Sequence, residues 1–76
     1  VQIFPNPAVT SSNILVKTEL NTLITCRVFD MQGRLLFTFN PQAGKAKAFG
    51  ENLRPGTYFI EVIQGKNRSQ HKLIKL

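Results

Sequence analysis

The chain has 76 residues, of which 42% are hydrophobic, and ten lysines and arginines against four acidic residues give it a net charge of +6. This length predicts a single domain over residues 1–76 with a thin core, and the apolar content excludes a disordered tail. A single cysteine and a single histidine exclude a disulfide framework and the common zinc sites, and no apolar run is long enough for a membrane helix.

Hydrophobic residues alternate with polar ones along most of the chain, which predicts strands rather than helices. A helix over residues 14–31 would meet no glycine or proline, but the β-branched residues and the alternation in that segment count against it. In chain order, the alternating runs predict strands near residues 2–4, 13–18, 23–29, 34–39, 45–49, 57–63 and 69–75. Seven short strands with turn residues between them predict an all-β fold, either an antiparallel sandwich or a small barrel.

The alternation also divides the side chains between the two faces of the predicted sheets. The inward face is expected to carry Ile14, Val16, Ile24, Cys26, Val28, Leu36, Leu53, Tyr58, Ile60 and Val62. The opposite face would then carry four phenylalanines, Phe29, Phe37, Phe39 and Phe59. Aromatic side chains in that position are either covered by loops and neighbours or form an apolar patch for a partner.

Enzymatic motifs are absent from the sequence, so we expect no catalytic residue, no metal site and no cofactor. The only histidine, His71, has no carboxylate near it in sequence, and no serine stands in a Gly-x-Ser-x-Gly motif. Cys26 alternates with apolar residues, and we interpret it as a small buried hydrophobe rather than a reactive thiol.

Positive charge is concentrated in the second half of the chain, where residues 41–76 carry seven cationic residues against two acids, a net of +5. This imbalance favours an anionic partner, such as lipopolysaccharide or an acidic protein surface, although a basic surface can also serve solubility alone. Nucleic acid is not an expected partner, because the cationic residues are not interleaved with aromatic side chains that could stack on nucleobases.

Four short motifs follow one another along the chain: a proline corner, a glycine turn, a turn that leads into an aromatic strand residue, and a basic and apolar strand. Their residues are Phe4-Pro5-Asn6-Pro7; Asp30 and Gly33; Leu53, Gly56 and Tyr58; and Lys72-Leu73-Ile74-Lys75-Leu76. Each motif has a structural interpretation on its own, because prolines end edge strands and glycines allow tight turns.

In this order and spacing, the four motifs resemble the type A C-terminal sorting domain of proteins secreted by the type IX (Por) system of Bacteroidetes. The resemblance covers nearly the whole chain, and Phe4 stands where the family more often has tyrosine. It implies an Ig-like antiparallel β-sandwich of Greek-key type, with about seven short strands, cut from the C-terminus of a larger cargo protein.

The resemblance also implies a function. Such a domain directs its cargo, exported first to the periplasm, through the outer-membrane translocon, with shuttle proteins as further partners. A surface sortase then removes the domain at a site upstream of Val1, and the cargo is released or joined to anionic lipopolysaccharide at the cell surface. The domain itself would be a signal and a substrate rather than a catalyst, without a cofactor and without a membrane span.

The motif residues divide into two expected roles. Gly33, Gly56 and Tyr58 are expected to shape turns and core, whereas the terminal strand can be recognised by a partner as an added strand or in a groove. Lys72 and Lys75 lie three residues apart, so the strand alternation places them on opposite faces. The edge strands are also candidates for dimerisation. The alternative function is an Ig- or fibronectin-like module that binds carbohydrate or separates the domains of a secreted protein.

Overall fold

A computed structural model describes all 76 residues and contains seven strands and no helix. The strands are β1 (Gln2–Phe4), β2 (Ser12–Leu15), β3 (Thr25–Phe29), β4 (Leu35–Phe39), β5 (Lys47–Phe49), β6 (Gly56–Gln64) and β7 (Asn67–Lys75). Each strand lies where the alternation predicts it, with ends that differ by up to three residues. The structure contains no helix long and apolar enough to cross a bilayer.

The strands form two antiparallel sheets, one ordered β1-β2-β5 and the other β4-β3-β6-β7. The order differs from that of a constant-type Ig domain in one strand, because β4 pairs with β3 instead of joining the sheet of β1, β2 and β5. The chain crosses between the sheets after β2, after β4 and after β5, as the Greek-key connections of such sandwiches require. The predicted all-β, Ig-like sandwich is confirmed.

The core lies between the two sheets and consists of alternate residues of the long strands. Its buried apolar residues are Ala8, Ile14, Val16, Ile24, Cys26, Val28, Phe49, Tyr58, Ile60, Val62 and Leu73. Leu53 packs against this cluster while remaining partly exposed. The expected inward face is therefore confirmed for every residue named above except Leu36.

The prediction for β4 was wrong, since Leu36 is 42% exposed and Phe37 and Phe39 pack against the core. Directly paired residues of antiparallel strands share a face, and Phe39 pairs with Cys26 while Phe37 pairs with Val28. An irregularity between Val28 and Phe29 shifts the register, so Leu35, Phe29 and Leu36 end on the outer side. Phe39 stacks on Phe49 of the facing sheet, with ring centroids 5.2 Å apart.

The other two phenylalanines do lie on the outer face, as predicted. Phe29 and Phe59 are paired neighbours on β3 and β6, and both are half-buried. The guanidinium of Arg27 lies over the Phe29 ring at 5.3 Å from its centroid, which covers part of this apolar surface.

Substitutions of two adjacent residues test which face of β7 is buried. Leu73→Ala removes a side chain that is 1% exposed, and we expect it to lower the free energy of unfolding by about 2–5 kcal/mol. Ile74→Ala, at a position that is 36% exposed, should cost less than about 1 kcal/mol. Urea denaturation followed by circular dichroism measures both, and equal losses would contradict the burial of Leu73 and the exposure of Ile74.

Candidate functional site

The structure brings all four sequence motifs to one end of the sandwich. Asp30 follows Phe29, which pairs with Phe59 near the start of β6, and Phe59 pairs in turn with Lys72 of the terminal strand. The Lys72 carbonyl accepts a hydrogen bond of 2.8 Å from Nδ2 of Asn6. Motifs separated by more than 60 residues in sequence therefore form one continuous surface across the four-stranded sheet.

The first and fourth motifs bind each other directly. We call residues Pro5–Ala8 the corner segment and residues Lys72–Leu76 the terminal segment. The Asn6 side chain acts as a substitute peptide group, because its Nδ2 donates to the Lys72 carbonyl and its Oδ1 accepts from the Ile74 amide at 3.0 Å. The Ala8 amide donates to the Ile74 carbonyl, and the Leu76 amide donates to the Ala8 carbonyl, each at 2.8 Å. The corner segment is thus a short parallel addition to β7.

The corner segment also attaches to the other sheet. Residues Gln2–Phe4 pair with β2, and Oγ of Ser12 donates a hydrogen bond of 2.7 Å to the Pro5 carbonyl. The peptide bonds before Pro5 and Pro7 are both cis. Since β1 pairs with β2 and the corner segment pairs with β7, the chain changes from one sheet to the other within the corner and closes this side of the sandwich.

The two lysines of the terminal segment have different roles. Lys72 is exposed on the outer face, whereas Lys75 is 6% exposed and points between the sheets. Its Nζ donates to the carbonyl of Gly50 at 2.7 Å and to the carbonyl of Thr10. The prediction of opposite faces is confirmed, and the signal for the burial of Lys75 was its strand parity, which it shares with Leu73.

The second motif is a turn built around one carboxylate. Oδ1 of Asp30 accepts the amides of Gln32 and Arg34, both at 2.9 Å, and Oδ2 accepts Nε of Arg34 at 2.8 Å. The Arg34 amide, joined by its guanidinium and the Gln32 amide, holds the pKa of Asp30 below its ordinary value near 3.8. Gly33 has φ of 85°, in the left-handed region that glycine enters without steric cost.

The third motif is a tyrosine corner of the kind that Ig-like sandwiches place at the start of the equivalent strand. The Tyr58 ring is buried, and its hydroxyl donates a hydrogen bond of 2.6 Å to the Arg54 carbonyl. Gly56 has φ of 156°, a conformation that L side chains rarely adopt. The turn conformation and the hydroxyl contact therefore support the expected structural role of Gly56 and Tyr58.

The second and third motifs line one shallow groove of about 610 Å³. Phe37, Leu53 and Tyr58 contribute apolar lining, while Arg34 and Arg54 are exposed beside it. Met31, which is 66% exposed, also borders the groove. The end of the sandwich that carries the motifs is therefore apolar and basic at once.

Burial divides the predicted site residues into two groups. Asp30, Tyr58, Leu73 and Lys75 are buried, and Leu53 is partly buried. The exposed ones are Phe4, Pro5, Asn6, Pro7, Gly33, Gly56, Lys72, Ile74 and Leu76. The exposed residues, together with the partly buried Leu53 in the groove, are those that can contact a partner while the domain stays folded. Exposed Met31, Arg34 and Arg54 belong to the same surface and were missed, because side chains within turns follow no period.

Cys26 is buried in the core, and the partly buried His71 lies on the inward side of β7, next to Lys72. Burial raises the pKa of the Cys26 thiol to about 11, so the thiol is protonated at neutral pH. Burial also lowers the pKa of His71, whose Nε2 lies 2.9 Å from Oγ of Ser69. The structure holds no cluster of three or more side chains that could bind a metal ion.

Comparison with known proteins identifies a family. The family model described as "Secretion system C-terminal sorting domain" matches residues 2–76. No curated protein sequence and no solved structure is significantly similar to the chain. The family match covers both the corner segment and the terminal segment, so it includes all four motifs.

The Asn6 side chain can be tested by truncation. Asn6→Ala removes both hydrogen bonds to β7, and we expect it to lower the free energy of unfolding by about 1–2 kcal/mol. Asn21→Ala changes an exposed loop asparagine and serves as the control, with an expected effect within about 0.5 kcal/mol. Chemical denaturation of the two variants gives the comparison, and an Asn6 variant as stable as wild type would contradict the substitute peptide group.

The Asp30 turn predicts a pH dependence of stability. Because the folded state lowers the pKa of this carboxyl, its ionised form stabilises the fold at pH values above about 4, and this contribution is lost as the pH falls through the lowered value. Asp30→Asn should therefore flatten the loss of stability between neutral pH and pH ~2. Glu51→Gln removes the same charge from an exposed position and should leave the curve unchanged. Urea midpoints measured between neutral pH and pH ~2 show whether each variant flattens the curve of stability against pH or leaves it unchanged.

Proposed function

The chain belongs to the family of secretion system C-terminal sorting domains. On that premise we propose that the type IX machinery recognises the surface of the folded domain. Its family makes it a sorting signal of a protein exported by that system. The observation that carries the proposal is the docking of the corner segment on the terminal segment. It fixes the backbone of the terminal segment and leaves Lys72, Ile74 and Leu76 facing outwards.

The proposed route follows from the family. The cargo reaches the periplasm, the domain engages the shuttle proteins and the outer-membrane translocon, and a surface sortase then cleaves ahead of the domain. The cargo is released or joined to anionic lipopolysaccharide, so its final location is the cell surface or the medium. The domain acts as a signal and not as an enzyme. The protonated, buried thiol of Cys26 supports that assignment, because the thiolate is the nucleophilic form.

The alternative, a carbohydrate-binding or spacer module, rests on the sandwich fold and on the four phenylalanines expected on the outer face. Two of them, Phe37 and Phe39, pack inwards, and the Arg27 guanidinium covers part of a third, Phe29. The aromatic surface that would favour carbohydrate is therefore reduced, and we retain the sorting signal as the proposed function.

Deletion of the terminal segment is a poor test of recognition, because the same residues hold the fold together. The segment contains the buried Leu73 and the buried Lys75, and it pairs with both β6 and the corner segment. Its removal would unfold the domain whether or not a partner recognises this segment. Substitutions of its exposed side chains separate the two effects.

We therefore expect Lys72→Ser combined with Leu76→Ser to reduce export of a periplasmic reporter fused ahead of the domain by about fivefold or more. Both side chains are exposed, so the thermal midpoint of the purified domain should stay within a few degrees of wild type. Leu20→Ser, at a loop position that is 47% exposed, is the matched control and should export normally. The assay measures reporter at the surface and in the medium of a bacterium that carries a type IX system. Normal export of the folded double variant would contradict recognition through the terminal segment.

A further inference from the structure

The outer edge of β7 is only half covered. The backbone groups of Lys72, Ile74 and Leu76 that point away from β6 bind the corner segment. Backbone direction alternates along a strand, so Arg68 and Gln70 present their amides and carbonyls at the same edge. These groups make no hydrogen bond within the chain, and neither does the Lys72 amide.

The corner segment cannot extend to cover the rest of this edge. No residue before Asn6 makes a hydrogen bond to β7, and Gln2–Phe4 pair with β2 in the other sheet. The open part, residues Arg68–Lys72, belongs to a nine-residue strand whose other edge is paired with β6 throughout and without a bulge. We call it the open edge. An unprotected edge of this kind is a template for another strand.

The charges around the open edge indicate which strand it accepts. Three exposed cationic residues lie at or next to the open edge, namely Lys66, Arg68 and Lys72. Glu61 is the acid on the neighbouring strand, and it already lies 3.2 Å from Arg27 and 3.5 Å from Arg68. A second copy of the chain paired edge to edge would bring the same cationic side chains opposite each other, which is destabilising. The surplus of positive charge favours an extended segment that carries carboxylates.

We propose that the open edge receives an extended, acidic segment of a partner protein as a fifth strand of the β4-β3-β6-β7 sheet. The added strand would bind the amides and carbonyls of Arg68 and Gln70 and the amide of Lys72, while Lys66 and Lys72 pair with its carboxylates. The proposal rests on the proposed function, since the partner is a component of the export machinery. To that function the proposal adds how the partner binds, as an added strand, and which charge the bound segment carries.

Removal of one backbone donor tests the added strand. Gln70→Pro eliminates the outward amide without touching the ladder with β6, because the hydrogen-bonded partners in that ladder are the neighbours Ser69 and His71. Proline is tolerated on an edge strand, so the domain should fold, and its circular dichroism spectrum and thermal midpoint verify this. Gln70→Ala keeps the amide and loses the side chain, which makes it the matched control.

In the reporter assay we expect Gln70→Pro to lower export about tenfold and Gln70→Ala to export as wild type does. If the wild-type domain fails to export the reporter, the proposed function itself fails. If the wild-type domain and the folded Gln70→Pro variant export equally, the sorting function stands and the open edge is not the binding site. Equal losses in the proline and alanine variants would assign the effect to the Gln70 side chain and overturn the added strand.

The charge of the partner is tested separately. Lys66→Glu should lower export several-fold, whereas Lys45→Glu, the same charge change in the loop before β5, should not. Equal effects of the two would show that net charge alone matters and would overturn an acidic strand. An anionic membrane is the competing ligand, and vesicles that contain lipopolysaccharide are its probe. If Gln70→Pro lowers neither vesicle binding nor export while Lys66→Glu lowers both, the membrane replaces the protein strand as ligand.

Discussion

A sandwich of two small sheets has to close its sides, and in this chain one side is closed by an asparagine side chain. Asn6 donates and accepts along β7 as a peptide group would, and Ala8 continues the pairing through its backbone. Together with the Ser12 contact to Pro5, these bonds tie the β1-β2-β5 sheet to the end of the other sheet. The tyrosine corner and the buried Lys75 ammonium complete the same end. Because this closure fixes the backbone of the terminal segment, the side chains of Lys72, Ile74 and Leu76 face outwards.

Alternation was enough to predict the strands and most of the core, because β3 and β6 change face at every residue. It failed for β4, in which Leu35, Leu36 and Phe37 are consecutive apolar residues and define no phase. The polar Thr38 between Phe37 and Phe39 was the usable signal, since it marks the solvent face. The pairing of the corner with the terminal segment could not be predicted, because it joins residues 66 to 68 positions apart through a side chain.

Several of the charged side chains are bound within the fold and are not free to meet a ligand. Lys75 contributes to the formal charge of +6, yet it is bonded between the sheets and is not available to a ligand. The Asp30 carboxylate pairs with Arg34 within its own turn, and the Glu61 carboxylate pairs with two other arginines. Lys66 and Lys72 form no ion pair, so their charges remain available to a ligand, and both lie beside backbone groups of the open edge that still lack partners.

The parallel pairing of the corner segment with the terminal segment also has a mechanical consequence. If tension is applied between Val1 and Leu76, the two segments are pulled in opposite directions along their common axis. The four hydrogen bonds between them are then loaded in shear and share the force, instead of opening one after another as in a hairpin. A cargo pulling on one end of the domain and a receptor holding the other would therefore load this joint directly at Leu76 and, from the Val1 side, through the pairing of β1 with β2.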